Sequence, residues 1–359
     1  MRVKAAVAVA FNAPMVIEEL ELRDPGPGEV RVRIEAAAIC HSDISYLDGG
    51  WGGDLPAVYG HEAAGVVEEV GEGVKSVLVG SRVIVTLIQH CGHCPECGSG
   101  RPVHCGSFTA IPPVLRRADG TVVTQGLKCA AFAEQVVVDQ SQIAPLPGDL
   151  RSEVGCLLAC GVPTGLGAVV NTARVRPGDR VVVIGAGGVG LNTIQGAAIS
   201  GASRIVALDL EPSKLDDARS FGATDTVAAT DPDPARAVRR AMKGHGADHV
   251  FVTVGVPKVY DDAWAFLAPG GTVYAVGMPH SGAMSSYEAV NVAYSGHGMR
   301  GSRMGDIVLR RDIPWMADLH AQGRLKLDEL ISGRFRLDQI NEAFEDTRRG
   351  KARRNVIVF

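Results

Sequence analysis

Cys91, Cys94, Cys97 and Cys105 follow the spacing C-x2-C-x2-C-x7-C, in a loop rich in glycine and proline and poor in core residues. Four thiolates close a tetrahedral shell around zinc, and a loop with so little to bury needs such a staple to hold one shape. A structural zinc at 91–105 is expected, with His90, His93 and His104 outside a shell that is already full. Two shorter clusters precede it, Cys40-His41-Ser42-Asp43 and Gly60-His61-Glu62, and Cys160 follows within LACGVPTG. Each holds groups able to bind a metal or move a proton. Taken singly, though, a cysteine is usually a small buried hydrophobe and a histidine a satisfied core or surface residue. Cys129 and Cys156 are read as packed in that way.

A second chemistry lies in RVVVIGAGGVGLNTIQGAAISGASRIVALD, residues 180–209. The unbroken β-branched run at 181–184 suits a strand buried on both faces of a parallel sheet. Gly185, Gly187 and Gly190 then fit G-x-G-x-x-G: the first for a tight turn, the second for close approach of a pyrophosphate, the third for helix packing on strand. Leu191, Ile194 and Ala198 recur at helical spacing, and Gly201 stands where that helix should stop. Residues 205–208 form the next strand, closed by Asp209 nineteen residues beyond Gly190. A carboxylate there accepts both ribose hydroxyls of an adenosine and repels a 2′-phosphate, so NAD is expected rather than NADP. The charge-free stretch 181–203 is long enough to span a membrane, but its six glycines with Asn192, Thr193 and Gln195 argue against that use.

These groups need two scaffolds. A chain of 359 residues is too long for one ordinary core, and its 46% apolar content suffices for two. Residues 3–85 alternate in polarity, as in Arg31-Val32-Arg33-Ile34-Glu35, and are broken by PGPG and GEG turns, which predicts antiparallel strands; 132–139 adds another. Between Thr164 and Gly301 strands at 225–227, 250–254 and 272–277 alternate with helices at 214–221 and 260–267, the pattern of a doubly wound parallel sheet. The tail predicts helices at 313–322 and 337–349 and a strand at 356–359 that returns to the first domain. Residues 1–11 have a short apolar run after Arg2 and Lys4, but Asn12, Pro14 and two glutamates follow, so they read as a first strand and not a signal peptide. The net charge of −4 without a basic cluster offers no footprint for nucleic acid or membrane, and the terminal run Arg348, Arg349, Lys351, Arg353, Arg354 reads as a solvated helix end. Eight cysteines, several in C-x-x-C pairs, point to metal ligands in a reducing cytoplasm.

With Cys40, Gly60-His61-Glu62, the four-cysteine loop, Cys160 and GAGGVG in this order, the chain resembles the zinc-dependent medium-chain alcohol dehydrogenases over its whole length. The resemblance implies an α/β architecture: a GroES-like, β-rich catalytic domain from 1–161 and 302–359, and an NAD-binding Rossmann domain at 162–301. It implies two zinc ions per chain, the second a catalytic one on Cys40, His61 and Cys160 with water or substrate as fourth ligand. Asp43 would orient His61, Glu62 would sit beside the metal and ligate it transiently, and Ser42 would take the alcohol proton. By the same matching His41 and Arg354 fall on the cofactor pyrophosphate, Thr164 against the nicotinamide, and Lys214 near the ribose beside Asp209. Gly188, Val189 and Val276 are likewise assigned to the cofactor. The implied reaction interconverts an alcohol with its aldehyde or ketone by hydride transfer to or from NAD. Oxidation of a formaldehyde–thiol adduct and a nicotinoprotein with permanently held cofactor are the alternatives. Trp51, Leu87 and Ile111 either line a substrate channel or pack in the core. The segment 108–127 is longer than in the compact tetrameric bacterial members and resembles the dimeric and thiol-dependent formaldehyde branches, which implies a homodimer, with a homotetramer the alternative; small alcohols and aldehydes are the other partners expected.

One position departs from the resemblance. Many members carry a histidine three residues beyond Ser42 that passes the proton to solvent; this chain has Ser45, which cannot act as that base. Water, or help from His41, is left to carry the proton. Ser45→His is expected to add a limb near pH ~6.5 to the pH–rate profile; an unchanged profile means that the relay position is misassigned.

Overall fold

The computed structural model describes residues 1–359, which divide into two units: Met1–Gly161 with Val308–Phe359, and Val162–Ile307. In the first, the alternating segment becomes the strand Glu29–Ala38, with Val30, Val32 and Ile34 buried and Arg33 exposed. It pairs antiparallel with Glu62–Val70 along one edge. Its other edge is shared: Gln135–Asp139 covers residues 29–33, and Arg354–Val358 covers Ala36, Ala37 and Ala38. The end of the chain is thereby laid beside the residues that lead into Cys40. Arg2–Ala8, the expected first strand, closes a small barrel with Val16–Leu22, Leu115–Arg116, Val122–Gln125 and Ala57–Val58. Leu20, Leu22, Ile34, Ile39 and Phe132 are among the fully buried side chains of this unit's core.

The second unit is a six-stranded parallel sheet. Arg180–Ile184 lies inside it, with Arg204–Asp209 and then the edge strand Asp225–Ala228 on one side. On the other side follow Ala247–Val252, Leu267–Ala275 and the second edge, Gly298–Gly301. Val182 and Val206 are completely buried, as an all-apolar parallel strand requires. Helices Gly188–Ile199, Pro212–Ser220, Pro234–Ala241 and Pro257–Ala263 provide crossovers. In the first unit's tail the helices are Leu309–Ala321 and Ile340–Arg348, and the last strand is Arg354–Val358, each within a few residues of expectation. No single helix is long and apolar enough to cross a membrane.

The second boundary falls after Ile307, not after residue 301 as expected. Segment 302–307 is held to the second unit by hydrogen bonds from Thr172 Oγ1 to Asp306 (2.8 Å) and between Thr172 and Ser302 hydroxyls (2.9 Å), and from Asn171 Nδ2 to the Gly305 carbonyl (3.2 Å). Sequence periodicity carries no trace of such polar ties.

The glycine loop separates two demands. A Cβ on Gly190 would lie 1.8 Å from the Gly185 carbonyl oxygen, whereas a Cβ on Gly187 would meet nothing within 4 Å. Gly190→Ala should therefore cost about 2 kcal/mol and lower Tm by several degrees in a thermal melt. Gly187→Ala should leave Tm unchanged and instead weaken dinucleotide binding, because only an external ligand needs that space.

Candidate active site

The strand Glu29–Ala38 runs into Cys40, which caps the helix His41–Leu47. Asp43 Oδ2 accepts the Cys40 amide (3.0 Å), and the Cys40 sulfur accepts the Ser42 amide (3.5 Å), a capping box built on a thiol. The other Asp43 oxygen accepts from the Gly60 amide (3.0 Å) and from His61 Nδ1 (3.1 Å). An ionised carboxylate only accepts, so Nδ1 holds its proton and Nε2 is the nitrogen whose proton a metal ion would displace. That Nε2 is buried and has no hydrogen-bond partner. Leaving such a buried polar atom unsatisfied costs about 1–3 kcal/mol, a cost that coordination of a metal ion by the deprotonated nitrogen would remove.

The donor atoms of Cys40, His61, Glu62 and Cys160 all lie within 4.8 Å of one another, and all four residues are buried. Two sulfurs, an imidazole nitrogen and a carboxylate form a set suited to zinc. Their protonation is interlocked. A hydrogen bond from the Cys160 thiol, with help from His61, holds Cys40 well below an ordinary thiol. Donating that bond, together with burial, pushes Cys160 well above one. Burial pulls His61 down, but the Asp43 carboxylate and Cys40 outweigh it and hold it well above an ordinary imidazole. Burial pushes Glu62 up to about 7 against the opposing pull of Arg354.

Arg354 is placed differently from expectation. Its Nη2 donates to both Glu62 oxygens, and Nη1 lies 3.4 Å from the Ile39 carbonyl. The guanidinium, matched above to a pyrophosphate, is here the counter-charge of a buried carboxylate. The cause is the strand Arg354–Val358, which sets its first residue beside Ile39 and Cys40. Gly161 makes the room: a Cβ there would stand 1.9 Å from Nη2. Sequence reasoning missed this pair and the role of Gly161.

The four-cysteine loop converges as expected. Its sulfurs also lie within 4.8 Å of one another, with Cys91 to Cys105 at 3.6 Å and Cys94 to Cys105 at 3.8 Å. A tetrahedron with metal–sulfur bonds of ~2.3 Å has edges of about 3.8 Å, so the spacing fits one zinc. Amides of His93 and Cys94 help to pull Cys91 down to about 6. His93 bonds the Cys91 carbonyl through Nδ1 (2.8 Å), outside the sulfur set. Cys129 and Cys156 are buried, and burial pushes both thiols far up, which leaves them inert.

Among the expected cofactor residues, Gly185, Gly187, Gly188, Val189 and Gly190 form the turn and first helical turn after Arg180–Ile184. Asp209 ends its strand with one carboxylate oxygen on the Ala186 amide (2.8 Å) and the other on the Glu211 amide (3.1 Å), so the loop itself positions the acid. Lys214 lies half-buried in the helix Pro212–Ser220. Val276 is buried, with its amide on Val252 (3.0 Å), and Thr164 Oγ1 donates to the Met304 sulfur (3.6 Å). His41 is exposed; Ser42 and Ser45 are half-buried on the helix that Cys40 caps. Trp51 sets its ring edge-on to Tyr46 at 5.3 Å, while Leu87 and Ile111 pack against the first unit's core.

A β-rich unit with two metal-ready clusters, beside a parallel-sheet unit with a G-x-G-x-x-G turn, is the arrangement of a zinc-dependent dehydrogenase. The comparisons agree: residues 26–148 match the family description "Alcohol dehydrogenase GroES-like domain" and residues 188–322 match "Zinc-binding dehydrogenase". The chain is 37% identical to an S-(hydroxymethyl)glutathione dehydrogenase of Escherichia coli, covering 100% of both chains. The structure of benzyl alcohol dehydrogenase from Acinetobacter calcoaceticus superposes with a TM-score of 0.93 at 28% identity, over 100% of this chain and 99% of that one. A zinc-binding dehydrogenase from Sinorhizobium meliloti, bound to NADP, gives 0.85 at 26% identity over 100% of each chain. The chain belongs to the zinc-dependent medium-chain alcohol dehydrogenase family and is a zinc-dependent alcohol dehydrogenase.

Asp43→Asn tests the architecture of this centre. Loss of the carboxylate that sets the His61 tautomer should weaken zinc at Cys40, His61 and Cys160 by about 10–100-fold. Competition with a chromogenic chelator measures it, and the zinc on the four cysteines should be retained. Equal loss of both ions would mean that Asp43 supports the fold and not the centre.

Proposed function

We propose that this enzyme uses NAD to oxidise the CH–OH group of a small apolar alcohol, and reduces the matching aldehyde or ketone, with two zinc ions per chain. The orphaned Nε2 of His61, buried with two cysteine sulfurs, carries the reading. When bound, a zinc ion supplies Lewis acidity at the substrate oxygen. The chain's own groups do the rest. Asp43 fixes the imidazole tautomer, and Arg354 holds Glu62 at the edge of the donor set. Ser42 offers a hydroxyl for the alcohol proton, and Ser45, one turn along the same helix, does not replace a histidine base. Asp209 accepts the ribose hydroxyls and repels a 2′-phosphate.

The name of the Escherichia coli relative favours a second reading, a formaldehyde–thiol adduct as substrate. The segment Gly49-Gly50-Trp51-Gly52-Gly53-Asp54 carries one acid and no arginine to hold an anionic peptide, so the simple alcohol ranks first. A reducing cytoplasm suits a chain whose eight cysteines are all free. A second copy is the partner we propose. Met278, Met284, Tyr287, Val290, Tyr294 and Met299 are exposed around the edge strand Gly298–Gly301, and an edge pairs readily with its own copy about a two-fold axis.

Cofactor reduction with unbranched and benzylic alcohols, and with formaldehyde with and without glutathione, tests the reading. The expected result is turnover of at least one plain alcohol with kcat/KM for NAD about tenfold or more above NADP. Preference for NADP, or turnover of formaldehyde plus thiol alone, overturns it.

A further inference from the structure

At the edge of the parallel sheet farthest from Gly298–Gly301 lies a cavity of about 560 Å³ that the dehydrogenase chemistry does not use. Arg204, Arg219, Arg240 and Lys243 line it, and Asp225 is its one carboxylate. Arg204 reaches Asp225 at 3.4 Å, and Arg219 bonds Asp216 at 2.7 Å. Arg240 and Lys243 have no acidic partner. Four cations in one concavity of a chain whose net charge is −4 is a concentration of like charge, and an anion would relieve its repulsion.

Local roles explain only part of this. Arg219 and Arg240 each stand in the last turn of a helix, where a cation complements the macrodipole. Those roles act singly and place no demand on the two converging with Arg204 and Lys243. The dinucleotide loop does not account for them either. Arg204 begins the strand that Asp209 ends, so roughly 16 Å of strand separates the two.

We propose that this cavity is a binding site for a small organic phosphate carrying two or more phosphoryl groups. Guanidinium groups match phosphoryl oxygens in paired hydrogen bonds, and the volume exceeds that of one phosphate. The proposal is independent of which alcohol the enzyme oxidises.

Calorimetric titration of the zinc-loaded, cofactor-saturated enzyme with fructose 1,6-bisphosphate at low ionic strength tests it, beside the double variant Arg240→Ala with Lys243→Ala. One equivalent is expected to bind, with affinity falling about tenfold or more in the variant, whose KM for alcohol should be unchanged. Absence of binding, or equal affinity in the variant, would overturn the site.

Discussion

The buried carboxylate of Asp43 joins three parts of the first unit. It accepts the Cys40 amide at the start of a helix, the Gly60 amide at the entry to a strand, and the His61 ring nitrogen. Taking a carboxylate out of water costs several kcal/mol, which only this full set of donors offsets. Because all three donors are engaged, the first and second metal-ready residues hold one relative position, and the free imidazole nitrogen has one direction. The capping of a short helix and the shaping of a metal centre are the same set of bonds.

A second charge pair surrounds the first. Cys40, Glu62 and Arg354 are buried together, and no member is tolerable alone: a lone carboxylate would take up a proton, and a lone guanidinium would be driven out toward water. The glycine after Cys160 leaves the room in which the guanidinium lies against Glu62, since a Cβ there would stand 1.9 Å from Nη2. The shape of this cluster thus rests on a backbone position without a side chain as well as on the donor residues themselves. The four-cysteine loop works by simpler means, since its sulfurs are close in sequence and a single ion would close the shell.

In the second unit the equivalent device is the tether between Asp209 and the glycine turn. The Ala186 amide holds the acid, and Gly185 and Gly190 approach too closely for any side chain between them. Turn, helix start and acid are therefore fixed relative to one another by the loop's own bonds.

Local chemistry was legible in the sequence. The cysteine spacing, the G-x-G-x-x-G turn and the alternation of strands with helices depend on residues a few positions apart, and each appears where its pattern lies. The helix Ala289–Ser295 and the strand Gly298–Gly301 were missed, because seven and four residues are too few to establish a period. Cys40, His61 and Cys160 were connected only by family resemblance, since nothing in their spacing brings them together. Tertiary structure alone decided that Arg354 meets Glu62, 292 residues away, that Gly161 must be bare, and that segment 302–307 belongs to the second unit. The physical reason is range: turns, caps and periodicity act within about one turn of helix or strand, whereas pairing a buried charge depends on which distant backbone the folded sheet lays beside it.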